Sequence, residues 1–169
     1  MKKKQRQVRR RIFAFLNREE GGTVAELAII VPFLAVMLAG VTEFGRLFQS
    51  YTTLAKSTRT AARYLSNHPF DDVNKTKAKN LAACGQMSCG ANDTALLPGL
   101  TPSNICIEST GTAPNPETVT VSIPRAGAGC GSPYTYQPVF DLGLLLHSPT
   151  FSLNLPLAPS TTMYFMLDD

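Results

Sequence analysis

The sequence predicts an α+β protein: one long N-terminal helix, a short second helix and a small antiparallel sheet. Three patterns carry that expectation. An apolar run, Leu27–Val41, passes without a break into a segment whose apolar residues recur every three or four positions as far as Leu65. A second helical pattern, 73–83, lies between Asp71-Asp72 and Gly85, residues suited to start and stop a helix. Short alternating runs then follow in a chain dominated by Pro, Gly, Ser, Thr and Asn.

Length and charge bound the function. The chain has 169 residues, 44% hydrophobic and 17% charged, which excludes a disordered polyelectrolyte and a polytopic membrane protein alike. Its net charge of +4 is unevenly placed. Residues 1–21 hold eight basic groups (Lys2, Lys3, Lys4, Arg6, Arg9, Arg10, Arg11 and Arg18) against Glu19 and Glu20, whereas the rest holds eight basic and ten acidic groups. The basic character belongs to a leader. A nucleic-acid partner is excluded because the body lacks the gathered positive surface it would need.

The first helix is expected from Gly22 to Ser66. Positions 22–42 carry one charge, Glu26, and as a helix cover about 30 Å, the thickness of a bilayer's hydrocarbon core. A basic run before such a segment holds the N-terminal side in the cytoplasm, so the body should lie outside. A buried helix of a soluble protein fits poorly, because the run is apolar on every face. A cleaved secretory signal fits poorly too: Met37-Leu38-Ala39 and Leu38-Ala39-Gly40 place a bulky residue where a small one is needed. Pro32 should bend or loosen the membrane half.

Beyond residue 42, Phe44, Leu47, Phe48, Tyr51, Leu54, Ala55, Thr58, Ala61, Ala62 and Leu65 form one stripe expected to be buried. Glu43, Arg46, Gln49, Ser50, Thr53, Lys56, Ser57, Arg59, Thr60 and Arg63 complete the wheel as its polar side. Pro69, after Asn67 and His68, ends the helix.

A basic leader ending in Gly21-Gly22, with Glu26 ahead of an apolar helix, resembles the class III signal of type IV pilins and pseudopilins. In that family a membrane aspartyl peptidase cuts after a glycine and leaves glutamate as the fifth mature residue. A cut between Gly21 and Gly22 gives that register; a cut after Gly22 makes Glu26 the fourth. The run GGTVAELAIIVPFLAVMLAGVTEFGRLF, followed by Ala61-Ala62-Arg63, is similar to the TadE/TadG-like proteins of the tight-adherence (Flp) pilus system. The family's glutamate, in-helix proline, glycine and E-[FY]-G-R motif correspond to Glu26, Pro32, Gly40 and Glu43-Phe44-Gly45-Arg46. The later YTYQPVFDLGLLL also resembles the family's C-terminal region. Leu27 stands where major Flp pilins carry tyrosine, and major Flp subunits are far shorter. The resemblance therefore implies a minor pseudopilin with a pilin-like fold.

The resemblance gives Glu26 a role. A carboxylate in the apolar helix costs about 3 kcal/mol in lipid. In pilin-like assemblies it meets the N-terminal amine that processing creates on an adjacent subunit, which offsets part of both desolvation costs and sets axial register. Gly40 and Gly45 would let helices approach closely. The polar side around Arg46, Arg59 and Arg63 offers a second contact or a plain solvated face. Implied partners are a prepilin peptidase, other pseudopilins or pilins with their assembly platform, and the lipid bilayer.

In the outer region, strands are expected around Ile105–Ile107, Thr118–Ile123, Tyr134–Val139 (broken at Pro138) and Thr162–Leu167. The amphipathic half of the long helix should lie on that sheet. The even count of four cysteines (Cys84, Cys89, Cys106 and Cys130), all after the apolar run, favours two disulfides in an external compartment. Three pairings are open. The preferred one closes a local loop with Cys84–Cys89 and ties a strand to the Gly-rich loop with Cys106–Cys130. A zinc site is the rival, but the Cys84–Cys89 spacing is loose and the other two form no second close pair.

Nothing points to an enzyme. His68 and His147 have no sequence neighbour to orient them, and no acidic pair, nucleophile elbow or phosphate-binding loop is present. No cofactor is expected. The organisation is a cytoplasmic basic leader (1–21), a transmembrane helix (22–42), its amphipathic continuation (43–66) and an extracytoplasmic disulfide-containing α+β domain (67–169). This describes a single-pass inner-membrane protein of a bacterium, able to enter a pilus. The alternative is an uncleaved, signal-anchored periplasmic binding or adhesive domain unrelated to pili.

Overall fold

The structure is a computed structural model that describes residues 19–90, 93–112, 115–141, 143 and 152–166. The leader to Arg18, His147 and most of the DLGLLL stretch lie outside the described residues. The element order is α1 (Glu19–Ser66), α2 (Asp72–Cys84), a 3₁₀ turn (Pro102–Asn104), β1 (Cys106–Thr110), β2 (Thr118–Ser122), β3 (Tyr134–Thr135), β4 (Pro156–Leu157) and β5 (Ser160–Tyr164). This is the expected α+β class, with α1 beginning three residues earlier than Gly22. The chain divides into two compact units, Met1–Thr42 and Glu43–Asp169.

In the first unit the described residues are all helical. Leu, Ile, Ala and Val bring no competing polar group, and the one hydroxyl near its end is satisfied locally: Thr42 Oγ1 donates to the carbonyl of Leu38 at 2.8 Å. Pro32 is accommodated inside the helix. Its missing N–H and ring leave one backbone hydrogen bond unmade.

The second unit has the core. Leu54, Ala61, Ala62 and Leu65 of α1 are buried with Ala78, Ala82 and Ala83 of α2 and with Val119, Val121 and Ile123 around β2. The alanines let elements approach closely, and the fully buried leucines each contribute about 2 kcal/mol by leaving water. Asp71 caps α2, its Oδ1 accepting the Asn74 N–H at 2.7 Å; Gly85 ends α2 in the left-handed conformation, φ 72°, with its N–H on the Leu81 carbonyl.

Two antiparallel sheets form where one was expected, in the orders β1-β2-β5 and β3-β4. Cys106 faces Ser122 across the first ladder and Val121 faces Thr161 across the second. β2 is the central strand, and its alternation puts Val119 and Val121 inward. The β1–β2 connection needs Gly111: φ is 93°, and a Cβ there would stand 2.8 Å from the Glu117 nitrogen. The last strand lies at 160–164, not 162–167. Its tail turns to α1 instead, the Met166 N–H reaching the Ser66 carbonyl at 2.9 Å. The 134–139 strand shrinks to two residues paired with Leu157 and Pro156. The sequence pattern missed this because β4 contains a proline and has no alternation of its own.

The stripe of α1 departs from expectation. Leu54, Thr58, Ala61, Ala62 and Leu65 are buried, but Phe44, Phe48 and Tyr51 are exposed. Glu43 and Ser57, expected on the polar side, are buried. The inward line through the lower helix runs from buried Glu43 through half-buried Leu47 and Ser50 to buried Leu54, so its register begins at Glu43 and leaves Phe44 to one side.

Candidate functional site

Two features set α1 apart from an ordinary core helix. The first is the apolar run. Among the described residues one helix, Gly22–Ser66, is long and apolar enough to cross a membrane, and none of its most apolar window is buried in the fold. Ile29, Leu34, Leu38 and Val41 are all exposed. Glu26 and Pro32 stand exposed in this run, and Gly40 is half-buried. Gly21 and Gly22 lie inside the first helical turns, and a Cβ at Gly22 would meet nothing within 4 Å.

The second is a buried carboxylate at the start of the second unit. Glu43 is 3% exposed and accepts three hydrogen bonds from a segment more than 90 residues away. Tyr136 Oη donates to Oε1 at 2.6 Å, the Val139 N–H donates to Oε1 at 2.9 Å, and the Phe140 N–H reaches Oε2 at 3.4 Å. Burial pushes the carboxyl's pKa up, but the Tyr136 hydroxyl, the two backbone donors and the Arg46 charge outweigh it. They hold Glu43 below the usual carboxylate range. Burial, together with the hydrogen bond to Glu43 and that group's charge, pushes the Tyr136 phenol up, so it stays the donor. Burial alone raises Tyr134, whose Oη donates to the Pro98 carbonyl at 3.1 Å.

Of the E-F-G-R residues, then, Glu43 turns inward while Phe44, Gly45 and Arg46 face out. A Cβ on Gly45 would meet nothing within 4 Å. The structure therefore separates the candidate assembly residues into two kinds. Glu43 is spent on its own chain's tertiary structure and the exposed Arg46 acts on the same Glu43–Tyr136 pair, whereas Gly45 has open space beside it. In the sequence Tyr136 reads only as a strand residue. The one signal that could have revealed its part is the register of Glu43, four positions before Leu47 and eleven before Leu54, which demands a buried donor from elsewhere.

Disulfides join Cys84 to Cys89 and Cys106 to Cys130. The one group of metal-type ligands among the described residues, Cys106, Glu108 and Cys130, has both its sulfurs in the second disulfide, so neither is a thiolate ligand. His68 closes the end of α1: Nδ1–H donates to the Tyr64 carbonyl at 2.8 Å, and the imidazole stacks on the Tyr64 ring. Asn74 and Asn104 are further buried polar residues that sequence reasoning passed over. Asn74 takes the Tyr64 hydroxyl at 2.9 Å and donates to Pro69; Asn104 donates to Ser132 and Pro133. Each ties one loop, which is a scaffolding job.

An exposed apolar helix, an inward acid that fastens the chain's later part to it, and a disulfide-tied body make an arrangement suited to docking. Neither a curated protein nor a solved structure matches the chain. A family model does: residues 21–63, about a quarter of the chain, match the family described as TadE-like protein. The matched stretch holds the apolar run, Glu26, Pro32, Gly40 and the Glu43–Arg46 motif, and it is similar to TadE-like proteins.

Proposed function

We propose that this chain is a minor pseudopilin that takes part in assembly of a tight-adherence (Flp) pilus or a related secretion system. One observation carries the reading: the TadE-like match ends and begins within the helix whose apolar run the fold leaves uncovered. An apolar helix of that length with no cover in its own chain has lipid or other helices as its stable surroundings. In this reading the leader stays cytoplasmic, the helix crosses the inner membrane once, and the disulfide-containing unit lies in the periplasm, where oxidation is permitted.

A prepilin peptidase cuts between Gly21 and Gly22. Glu26 then pairs with the new amine of an adjacent pilin or pseudopilin, and Gly40 and Gly45 allow helices to pack closely on the assembly platform. The role is structural rather than catalytic. Mass spectrometry of the chain recovered from membranes of cells carrying the peptidase should find a start at Gly22. An intact Met1 end in those cells would overturn processing and favour the signal-anchored binding domain. Glu26→Ala should insert normally yet be recovered severalfold less with sheared pili. Equal recovery would remove the register role.

A further inference from the structure

Where Phe44 and Phe48 face solvent, α1 has just left its apolar run, and the segment fastened by Glu43 presents two more apolar side chains. Val139 is 72% exposed and Phe140 39%, although their own backbone N–H groups are held by the Glu43 carboxylate. Phe44 and Phe48 are 64% and 65% exposed. Phe44 and Phe48 follow Glu43 by one and five residues on α1, and Val139 and Phe140 are tethered to its carboxylate, so four large exposed apolar groups gather around this end of the unit, and the nearby acids do not face outward among them. Glu43 is buried, and Asp141 accepts the Gly143 N–H at 2.9 Å and the Ser152 hydroxyl at 3.1 Å. Arg46, the exposed charge of that turn, acts on the Glu43–Tyr136 pair.

We infer that Phe44, Phe48, Val139 and Phe140 form a collar that seats in the headgroup layer of the bilayer, so that the outer unit rests on the membrane surface. The occupant follows from continuity and thickness. If residues 22–42 fill the hydrocarbon core, the headgroup layer on the outer side is about 5–8 Å deep. Along the helix Phe44 lies about 3 Å and Phe48 about 9 Å beyond Thr42, and helical side chains lean back toward the N-terminus, here toward the lipid. Gln49 is exposed and polar, and Tyr51, about 14 Å beyond Thr42 along the helix, already lies past the layer. Glu43 is the positioning residue of this collar. Its inward carboxylate both removes a charge from the layer and holds the 139–140 turn.

The inference rests on the membrane-spanning reading, and the test separates the two. The chain has no tryptophan, so single reporters are clean. Full-length Leu34→Trp, Phe48→Trp, Val139→Trp and Val73→Trp are reconstituted in phosphatidylethanolamine–phosphatidylglycerol vesicles. Each vesicle set carries a nitroxide either near the headgroup or at mid-chain, and formation of both disulfides is checked by mass. Phe48→Trp and Val139→Trp should emit to the blue of Val73→Trp and be quenched by the shallow nitroxide at least about twofold more. Leu34→Trp should respond to the deep one. If Leu34→Trp responds while the two collar reporters match Val73→Trp, the collar is overturned and the span survives. If Leu34→Trp ignores the deep nitroxide, both fall. Shielding of the collar reporters only after a pilin subunit is added would make the surface a protein contact and overturn the lipid assignment.

Discussion

The C-terminal half of α1 contains two stretches with the same apolar periodicity and opposite fates. From Leu54 to Leu65 the stripe is buried against α2 and β2; from Phe44 to Tyr51 its aromatic residues face outward, while Glu43, one position earlier, is enclosed. The upper stretch is covered: Leu54, Ala61, Ala62 and Leu65 share one core cluster with the alanines of α2 and the valines of β2. The lower stretch has bulky rings and meets a turn that arrives through polar hydrogen bonds to a carboxylate. Periodicity thus identifies a face; what covers that face is a separate matter.

The largest effect should come from breaking the upper stretch. Leu54→Ala leaves a cavity at a fully buried site and should destabilise the fold by about 3 kcal/mol. Phe48→Ala, with more apolar atoms removed but from an exposed site, should stay within about 0.5 kcal/mol. Urea midpoints in detergent compare them directly, and equal losses would show the lower stripe to be core.

Glu43→Ala comes next. It strands the Tyr136 hydroxyl and the Val139 N–H without their acceptor, costing about 2 kcal/mol, and should speed amide exchange at Val139 and Phe140 before that of β2. Unchanged exchange at those two amides would mean the turn is held by other contacts.

A smaller effect follows from pH. Glu43 titrates below its ordinary 4.5 in the fold, so its stabilising contribution is present above the unfolded value and disappears as pH falls through the folded one. Acid should therefore loosen the 136–140 segment below about pH 4.5, and Glu43→Gln should abolish that step in a two-dimensional NMR titration. The smallest change is Gly45→Ala. With open space at the Cβ, it should stabilise the lone chain by about 0.5–1 kcal/mol through helix propensity. If Gly45 serves close helix packing, the same variant should be recovered less with pili.

Much of the architecture was legible. The two helices and the central strand β2 announce themselves through local signals: periodicity, Asp71 and Gly85 as caps, and the Thr118–Ser122 alternation. The likeness of residues 21–63 to TadE-like proteins was legible for the same reason, since the glutamate, proline, glycine and E-F-G-R motif all lie within one helix. The rest depended on partners far along the chain. Tyr136 could not be assigned to Glu43 from spacing, because 93 residues separate them. β3 and β4 were unreadable as strands, because two residues and a proline contain no alternation.

The residues alone established an apolar helix with no polar face, because such a run must be covered by lipid or by protein; that the fold leaves it uncovered came from the structure. The residues also established where helices start and stop, since caps act on the nearest backbone groups. Only the tertiary structure decided which side of α1 is core, that Glu43 points in and Phe44 out, and that Val139 and Phe140 are presented beside it. Those outcomes depend on competition between distant groups for one site. A carboxylate with three donors displaced a phenylalanine that the pattern alone would have buried.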